Sequence, residues 1–200
     1  MKTLHRNNFY CWSEFDSDRN IDFHSYVWVR DEGLVVFDPM PISSHDKAHL
    51  DALGTVTHII ITNADHVRNA RILSEHTGAE IWAPEAEKAL IDLPCSRWIS
   101  ERDVLIDGLQ AYGLSGSKTR GEMAFLIEGD TLVTGDLLRA HSGGALCILP
   151  DAKLEDRPQA ITSIKRLASI GSLSAILPGD GWPVFRDGQR VLEELVSRLQ

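Results

Sequence analysis

Strands are predicted wherever β-branched and aromatic residues cluster between turn signals along this chain. Residues 23–30 (FHSYVWVR) and 34–37 (LVVF) flank Asp31-Glu32-Gly33 and predict a β-hairpin. A second hairpin is predicted where two apolar runs flank Glu128-Gly129-Asp130. The remaining strand predictions are the buried runs 56–61, 80–83 and 174–177, and one or two strands within 103–114.

Helices are predicted between these strands by apolar stripes and by residues that cap helix ends. They cover residues 43–53, about 65–76, a segment that begins at Pro84, 157–170 and 189–199. Ser43 or Ser44 can cap the first helix, and Gly54 can end it. Because two hairpins imply antiparallel pairs, a doubly wound parallel sheet fits less well than two packed sheets with helices outside. We therefore predict an α/β (α+β) fold, a four-layer αββα sandwich.

Length and charge narrow the classes of partner. The chain has 200 residues, which fits a single domain spanning residues 1–200. Its net charge of −9 repels phosphate backbones and anionic lipid, so we expect no nucleic acid and no membrane as a partner. A local basic pocket stays compatible with this charge. Basic residues near the segments singled out below are Arg68, Arg71, Lys118, Arg120 and Arg139.

The N-terminal segment and the cysteines both indicate a cytoplasmic protein. Residues 1–10 lack the apolar core of a secretory signal, and no stretch is long and apolar enough to span a membrane. Cys11, Cys95 and Cys147 are odd in number and far apart. Neither a disulfide framework nor a thiolate zinc site is therefore indicated.

Candidate chemistry lies at the ends of three predicted strands. Thr62-Asn63-Ala64-Asp65-His66 follows the buried strand at 56–61, and Thr134-Gly135-Asp136 follows the second hairpin. Pro178-Gly179-Asp180-Gly181 follows the last strand. Ligand sites often gather at such strand ends, on loops that a rigid sheet positions.

At these residues the sequence resembles the metallo-β-lactamase superfamily, over nearly the whole chain from the first hairpin onward. That family has an early hairpin ending in an Asp-Pro-like turn, as Phe37-Asp38-Pro39 does here. It then has a strand ending in Thr-His-x-His-x-Asp-His. The same place here, residues 62–66, keeps the final pair as Asp65-His66 and lacks the preceding histidine pair.

The later family motifs are matched in order, with two substitutions. The family's Pro-Gly-His turn corresponds to Arg120-Gly121-Glu122, so Glu122 replaces a histidine. The Gly-Asp whose carboxylate bridges two metals matches Gly135-Asp136. The last histidine of a Pro-Gly-His-Gly-like turn is replaced by Asp180. The resemblance implies the metallo-β-lactamase version of the αββα sandwich.

The resemblance implies at most one divalent metal. Of one family metal site only Glu122 and Asp136 remain, too few for a zinc site of structural quality. The other site keeps a possible ligand at every position: Asp65, His66, Asp136 and Asp180. Zn, Mn or Fe are the candidate ions, and a protein without metal is the alternative. Asp65 is also the candidate catalytic residue.

Ordinary roles compete with ligation at each of these positions. Asp65 can be a helix N-cap with no further role, and Glu122 can be an exposed residue at the start of a strand. Asp136 and Asp180 follow glycines in turns, where Asp is common. Carboxylates that converge in one cleft repel one another, and a metal, a neighbouring Arg or Lys, or protonation relieves that repulsion. An internal salt bridge is therefore a rival to the metal.

Two functions follow from these alternatives. The first is a metal-dependent hydrolase acting on a small ester, thioester, lactone or phosphodiester, by analogy with the family. The second is a catalytically inactive descendant that binds a small molecule or another protein, or forms a homodimer. A fold shared with hydrolases does not by itself decide between them.

Overall fold

The computed structural model of the protein describes residues 1–101 and 103–199. Within those residues the larger sheet has seven strands that lie in chain order. They are β1 (Lys2–Thr3), β2 (Phe9–Asp16), β3 (Ile21–Arg30), β4 (Gly33–Phe37), β5 (Val56–Ile60), β6 (Glu80–Pro84) and β7 (Arg97–Ile99). Strands β1 to β4 pair antiparallel, and β4 to β7 pair parallel.

A smaller sheet and a separate strand pair complete the β-structure of the described chain. The strands of this second half are β8 (Leu109–Gly113), β9 (Met123–Ile127), β10 (Thr131–Thr134), β11 (Leu138–Ser142), β12 (Ala145–Ile148) and β13 (Ala175–Pro178). The smaller sheet has the order β13-β10-β9-β8, and β11 pairs with β12 alone. Strand β10 is antiparallel to β9 and parallel to β13, so the ends of β10 and β13 lie side by side.

Three apolar clusters show how the layers stack. The α-helices are α1 (Ser44–Leu53), α2 (Ala70–Thr77), α3 (Arg157–Ala168) and α4 (Gly188–Arg198). One cluster joins the facing sides of the two sheets. In it the ring centroids of Phe37, in the larger sheet, and Phe125, in the smaller sheet, are 5.8 Å apart. A second cluster covers the outer face of the larger sheet with α1 and α2, and a third covers the smaller sheet with α3 and α4. The predicted four-layer αββα sandwich is therefore confirmed.

Local signals account for the elements that were predicted correctly. The first hairpin forms between β3 and β4, with Arg30 opposite Gly33. Ser43 caps α1, because its side chain accepts the amide hydrogen of Asp46, and Gly54 follows the last residue of the helix. The second hairpin, the strand now seen as β13 and both C-terminal helices also form close to their predicted bounds.

The predicted helix at 65–76 is wrong in its first half. Residues Ala64–His66 form one turn of 3₁₀ helix, and α2 begins only at Ala70. Between them Arg68 has a φ of 36°, outside the helical region. The Arg68 guanidinium donates to the carbonyls of His24 and Asp38 at 2.9 and 3.3 Å. These tertiary bonds compete with helix continuation and place Arg68 beside the end of β13.

Two further differences concern the segment after Pro84 and the strand predictions. The segment after Pro84 forms only a 3₁₀ turn, Glu85–Glu87, because the Glu87 side chain turns inward to the amides of Ala64 and Gly121. The stretch 103–114 contains β8 but no second strand among its described residues. Strands β1, β2, β7, β11 and β12 were not predicted.

The helix lengths and the cysteines of the described chain bear on two general predictions. In the described part of the chain, no helix is long and apolar enough to cross a membrane. The three cysteines, at positions 11, 95 and 147, are free thiols.

Candidate functional site

The ends of β5, β10 and β13 bring the candidate residues together. Thr134 lies opposite Pro178 in the parallel pair, so Asp136 and Asp180 each lie two residues beyond matched positions. Strand β5 belongs to the other sheet. The loop that follows it is tied to the smaller sheet where the Met123 amide donates to the Thr62 carbonyl at 2.8 Å. The site therefore lies where the carboxyl ends of strands from both sheets meet.

Two glycines allow this close approach. A Cβ atom at Gly135 would lie 2.7 Å from Asn63 Nδ2 and 2.8 Å from Thr62 Oγ1. A Cβ atom at Gly179 would lie 2.7 Å from His66 Cε1. Any other residue at these positions would push the loops apart, so the glycines preceding Asp136 and Asp180 are part of the construction of the site.

Asp38 fixes the orientation of the His66 ring. The Asp38 carboxylate accepts hydrogen bonds from the Thr62 amide at 2.8 Å, from Thr62 Oγ1 at 2.7 Å and from His66 Nδ1 at 2.8 Å. Because a carboxylate only accepts, Nδ1 carries the hydrogen and Nε2 of the neutral ring has a free lone pair. Asp38 itself has a φ of 47°, a left-handed conformation that Asp tolerates better than most residues.

His66, Asp136 and Asp180 form a cluster of buried potential ligands. One donor atom from each lies within 4.8 Å of the other two, and among the described residues this is the one such group found. His66 Nε2 is 3.7 Å from Asp136 Oδ2. Two lone pairs at this distance repel unless a proton or a cation lies between them. The pair is therefore suited to share a positive charge.

The pKa of His66 reflects the same surroundings. Burial lowers the pKa of the imidazole and the positive charge of Arg68 lowers it further. The negative charges of Asp38 and Asp136 outweigh both, so the pKa is raised above its ordinary value of 6.5.

Asp180 has cationic neighbours of its own. The Arg139 guanidinium donates to Asp180 Oδ2, and Arg68 lies 3.7 Å from Asp180 Oδ1. Both side chains are buried around a carboxylate that is itself only 3% exposed. Asp180 Oδ1 and Arg139 Nε have no hydrogen-bond partner among the described residues. The ion pair is therefore incompletely satisfied on both sides.

Asp65 lies at the mouth of the site and outside the three-residue cluster. Its side chain is 44% exposed and forms an ion pair with Lys118. The Asn63 side chain accepts the Asp65 amide hydrogen at 2.9 Å, so Asn63 rather than Asp65 caps the short turn. The metal-ligand and catalytic roles of Asp65 stay predictions.

Glu122 is buried behind the site rather than exposed at a strand start. It accepts the Leu137 amide hydrogen at 2.8 Å and also accepts a hydrogen bond from the Ser117 hydroxyl. Burial raises the pKa of Glu122 to about 8, the Asp136 charge adds to this rise, and the two hydrogen bonds oppose it. Glu122 is therefore largely protonated at neutral pH. Its role as a metal ligand stays a prediction.

The cluster opens into a cleft of about 220 Å³ that is unusually basic. Its charged lining residues are the acids Asp65, Asp136 and Asp180 and the cations Arg19, Arg68, Lys118, Arg139 and Lys153. A larger cavity of about 420 Å³ lies beside α3, where Arg166 pairs with Glu101 and Arg120 pairs with Glu155. Because its cations are paired, this cavity offers less chemistry than the smaller cleft.

The donor set of the cleft fits a divalent cation. His66 has its Nδ1 held by a carboxylate and its Nε2 free, which is the usual arrangement of a metal-binding histidine. With Asp136 and Asp180 it supplies three protein ligands, the number found in catalytic zinc sites that keep one position open. The orphaned Asp180 Oδ1 is a further acceptor for such a cation. Arg139 is the competing partner for Asp180.

Two of the charged residues lining the cleft, Arg19 and Lys153, lay outside the sequence predictions. Arg19 comes from the turn between β2 and β3, and Lys153 from a 3₁₀ turn after β12. Neither stands near the strand-end motifs in sequence. The signal that could have pointed to them is the resemblance itself, because loops on one edge of such a sandwich converge on the site.

Comparisons with known proteins show the family and the fold of the chain. The family model described as the metallo-beta-lactamase superfamily matches residues 1–199. None of the curated proteins matches the chain.

Solved structures show the same fold at low sequence identity. A metallo-beta-lactamase from Pontibacter korlensis aligns with a TM-score of 0.76 and 15% identity, covering 98% of this chain and 96% of that one. DIM-1 metallo-beta-lactamase aligns with a TM-score of 0.75 and 13% identity, covering 98% and 95%. FIM-1 from Pseudomonas aeruginosa, solved in a mono-zinc form, aligns at 0.73 and 10% identity, covering 95% and 90%. The chain thus belongs to the metallo-β-lactamase superfamily.

Proposed function

We propose that this protein is a hydrolase that binds one divalent cation, Zn, Mn or Fe, on His66, Asp136 and Asp180. The observation that carries the proposal is the buried cluster of these three side chains at the bottom of an open cleft. Family membership supports hydrolysis, and the donor set supports a mononuclear site. The substrate would be a small molecule. The protein would act in the cytoplasm, without nucleic acid or a membrane as a partner.

The second metal position of the family would be lost in this protein. Asn63 takes the place of a ligand histidine and donates its amide hydrogen to Asp136 at 3.2 Å. Glu122 is engaged by Ser117 and by the Leu137 amide. An amide that donates and a carboxyl that is largely protonated are poor cation ligands, so we expect at most one ion.

The residues of the cleft would have different roles in hydrolysis. A bound divalent cation supplies Lewis acidity and makes a hydroxide nucleophile available near neutral pH. Asp38 holds the His66 ring in one orientation, and Asn63 orients the Asp136 carboxylate. Asp65 at the mouth can accept a proton from the attacking water when Lys118 moves away from it.

The proposal is tested by metal content and by hydrolysis together. Protein dialysed against Zn, Mn or Fe(II) should retain about one equivalent of one of these ions by elemental analysis. Asp136→Ala should retain less than a tenth of that amount, because it removes one of three ligands. Asp130→Ala, which changes the same charge outside the cleft, is the matched control.

Chromogenic esters, thioesters, lactones and phosphodiesters then test the activity of the loaded protein. Turnover of at least one class that is lost in Asp136→Ala and kept in Asp130→Ala supports the proposal. Wild-type protein that retains no ion under any of the three loading conditions refutes it.

A second function is favoured by the two internal ion pairs. Arg139 forms an ion pair with Asp180, and Lys118 forms one with Asp65. Positive charge therefore already lies where a family member holds metal. On this alternative the protein binds a small molecule, or a second copy of itself, without catalysis. It predicts full stability and ligand binding in protein that contains no metal.

A further inference from the structure

The charge of the cleft is opposite to that of the whole protein. Five Arg and Lys side chains and three Asp side chains line it, leaving two positive charges when His66 is neutral. The chain as a whole carries −9. A cleft that concentrates one sign of charge between protein walls focuses the electric field and attracts ligands of the opposite sign.

The five cations differ in how much of their charge is already used. Lys118 is paired with Asp65, and Arg139 and Arg68 flank Asp180. Arg19 lies 3.6 Å from Asp16 and is 68% exposed, so that pair leaves most of its charge available. Lys153 has no ion pair among the described residues, although it lines the cleft. Arg19 and Lys153 are thus the cations at the mouth that remain free to bind a ligand.

A buried donor extends this surface into the floor. The Arg139 side chain is 10% exposed, lines the cleft and has an Nε without a partner among the described residues. A buried guanidinium N–H that donates to nothing is costly, and a ligand oxygen is one way to satisfy it. The Arg139 side of the floor and the cations at the mouth therefore favour the same kind of ligand, one with several negatively charged oxygens.

We propose that the cleft binds the doubly charged phosphoryl group of a small molecule. Arg19 and Lys153 would contact it at the mouth, and Arg139 would contact it from the floor. A phosphate monoester carries nearly two negative charges at neutral pH and matches the two excess positive charges of the lining. Phe23, Met40 and Leu149 line the same cleft and offer apolar contacts to the organic part of the ligand.

As a statement about the substrate, this inference rests on the proposed function, but phosphate binding itself does not require the metal. The two can therefore fail separately. The probe is inorganic phosphate, titrated by calorimetry into protein freed of metal by chelation and dialysis. Acetate at matched ionic strength is the comparison, because one negative charge offsets only half of the excess.

Variants at the mouth locate the bound ion. Lys153→Ala and Arg19→Ala should each weaken phosphate binding about fivefold, as expected for a partly exposed ion pair. Lys165→Ala removes the same charge from the exposed face of α3, which does not line the cleft. It should leave the dissociation constant within about a factor of two, which is the change expected from net charge alone. Thermal unfolding of each variant without phosphate checks that the fold is intact.

The outcomes separate the two proposals. Phosphate binding to metal-free protein, stronger than acetate binding and weakened only at the mouth, supports the anion site even if no metal is retained. Equal weakening in all three variants, or equal affinity for phosphate and acetate, overturns it. Phosphate binding that appears only after metal loading also overturns it, because the ion itself would then be the anion receptor.

Discussion

Two buried polar regions lie on either side of Asp136, and they differ in how fully their atoms are satisfied. Around Glu122, both carboxyl oxygens have partners, in Ser117 and in the Leu137 amide, and the residue has no exposed surface. Around Asp180, one carboxylate oxygen lacks a hydrogen bond and Arg139 keeps an unpaired N–H. We call the Glu122 region closed, because Glu122 does not line the cleft, and the Asp180 region open, because Asp180 and Arg139 line it.

This difference separates structure from function within one motif set. A polar network whose members satisfy one another stabilises the native core and has no capacity left for a ligand. A network with unsatisfied buried atoms keeps a free-energy cost that binding can relieve. On the proposed function, the Glu122 region stabilises the fold and the Asp180 region binds the ligand, and substitutions test each of these roles.

The largest expected effect comes from removing the residue that supports the open region. Asp38→Ala deletes three hydrogen bonds and leaves the Thr62 amide buried without an acceptor. It also puts Ala at a φ of 47°. We expect a loss of about 3 kcal/mol in the free energy of unfolding, measured by urea denaturation.

Asp38→Asn is the matched control. It keeps one carbonyl oxygen as an acceptor and tolerates a left-handed backbone, so its loss should be smaller. A change below about 1 kcal/mol in Asp38→Ala would mean that the His66 ring is held by packing rather than by Asp38.

The next effect tests whether the closed region carries a proton. An ordinary Glu side chain has a pKa near 4.5, so the unfolded chain loses this proton at a lower pH than folded Glu122, whose pKa is about 8. Between these values the native state binds more protons than the unfolded state. The contribution of Glu122 to stability therefore falls as pH rises from 4.5 to 8.

Glu122→Gln should flatten that part of the pH profile. Its oxygen can accept the Leu137 amide hydrogen, and its amide can donate to the Ser117 oxygen in place of the hydrogen bond that Ser117 donates to Glu122. We expect the stability gain of the variant over the wild type to grow by at least about 1 kcal/mol between pH 5 and pH 8, by urea denaturation. Glu75→Gln, at an exposed position of α2, should leave the slope unchanged. Parallel profiles for Glu122→Gln and the wild type would contradict a raised pKa.

The fold was predictable where local sequence decides the structure. The turns at Gly33 and Gly129 and the Ser43 cap each act over a few residues, and the elements beside them formed as predicted. Strand β2 was missed although it pairs with β3 along eight residues. Its second half, Ser13-Glu14-Phe15, is exposed and carries no apolar alternation, so long-range pairing rather than side-chain pattern defines it.

The acids of the site were also more predictable than its cations. Asp136 and Asp180 follow strands that pair in register, so their proximity follows from the topology. Arg139 reaches Asp180 from β11, and Lys153 reaches the cleft from a separate turn. Arg68 was named as a basic residue near the site, but the predicted helix at 65–76 gave no sign that it leaves the helical conformation to reach the end of β13. Contacts of this kind depend on tertiary packing that no local spacing encodes.

The smallest expected effect concerns the ion pair at the mouth of the open region. Lys118 and Asp65 are 42% and 44% exposed, so solvent screens their attraction. A double-mutant cycle with Lys118→Ala and Asp65→Ala should give a coupling below about 1 kcal/mol in the free energy of unfolding. In 0.5 M NaCl this coupling should fall to nearly zero, because the Debye length shrinks to a few ångströms (about 4 Å). A coupling that stays well above 1 kcal/mol in salt would show that the pair behaves as buried, and Asp65 would then belong with the closed region and could not serve as a mobile catalytic base.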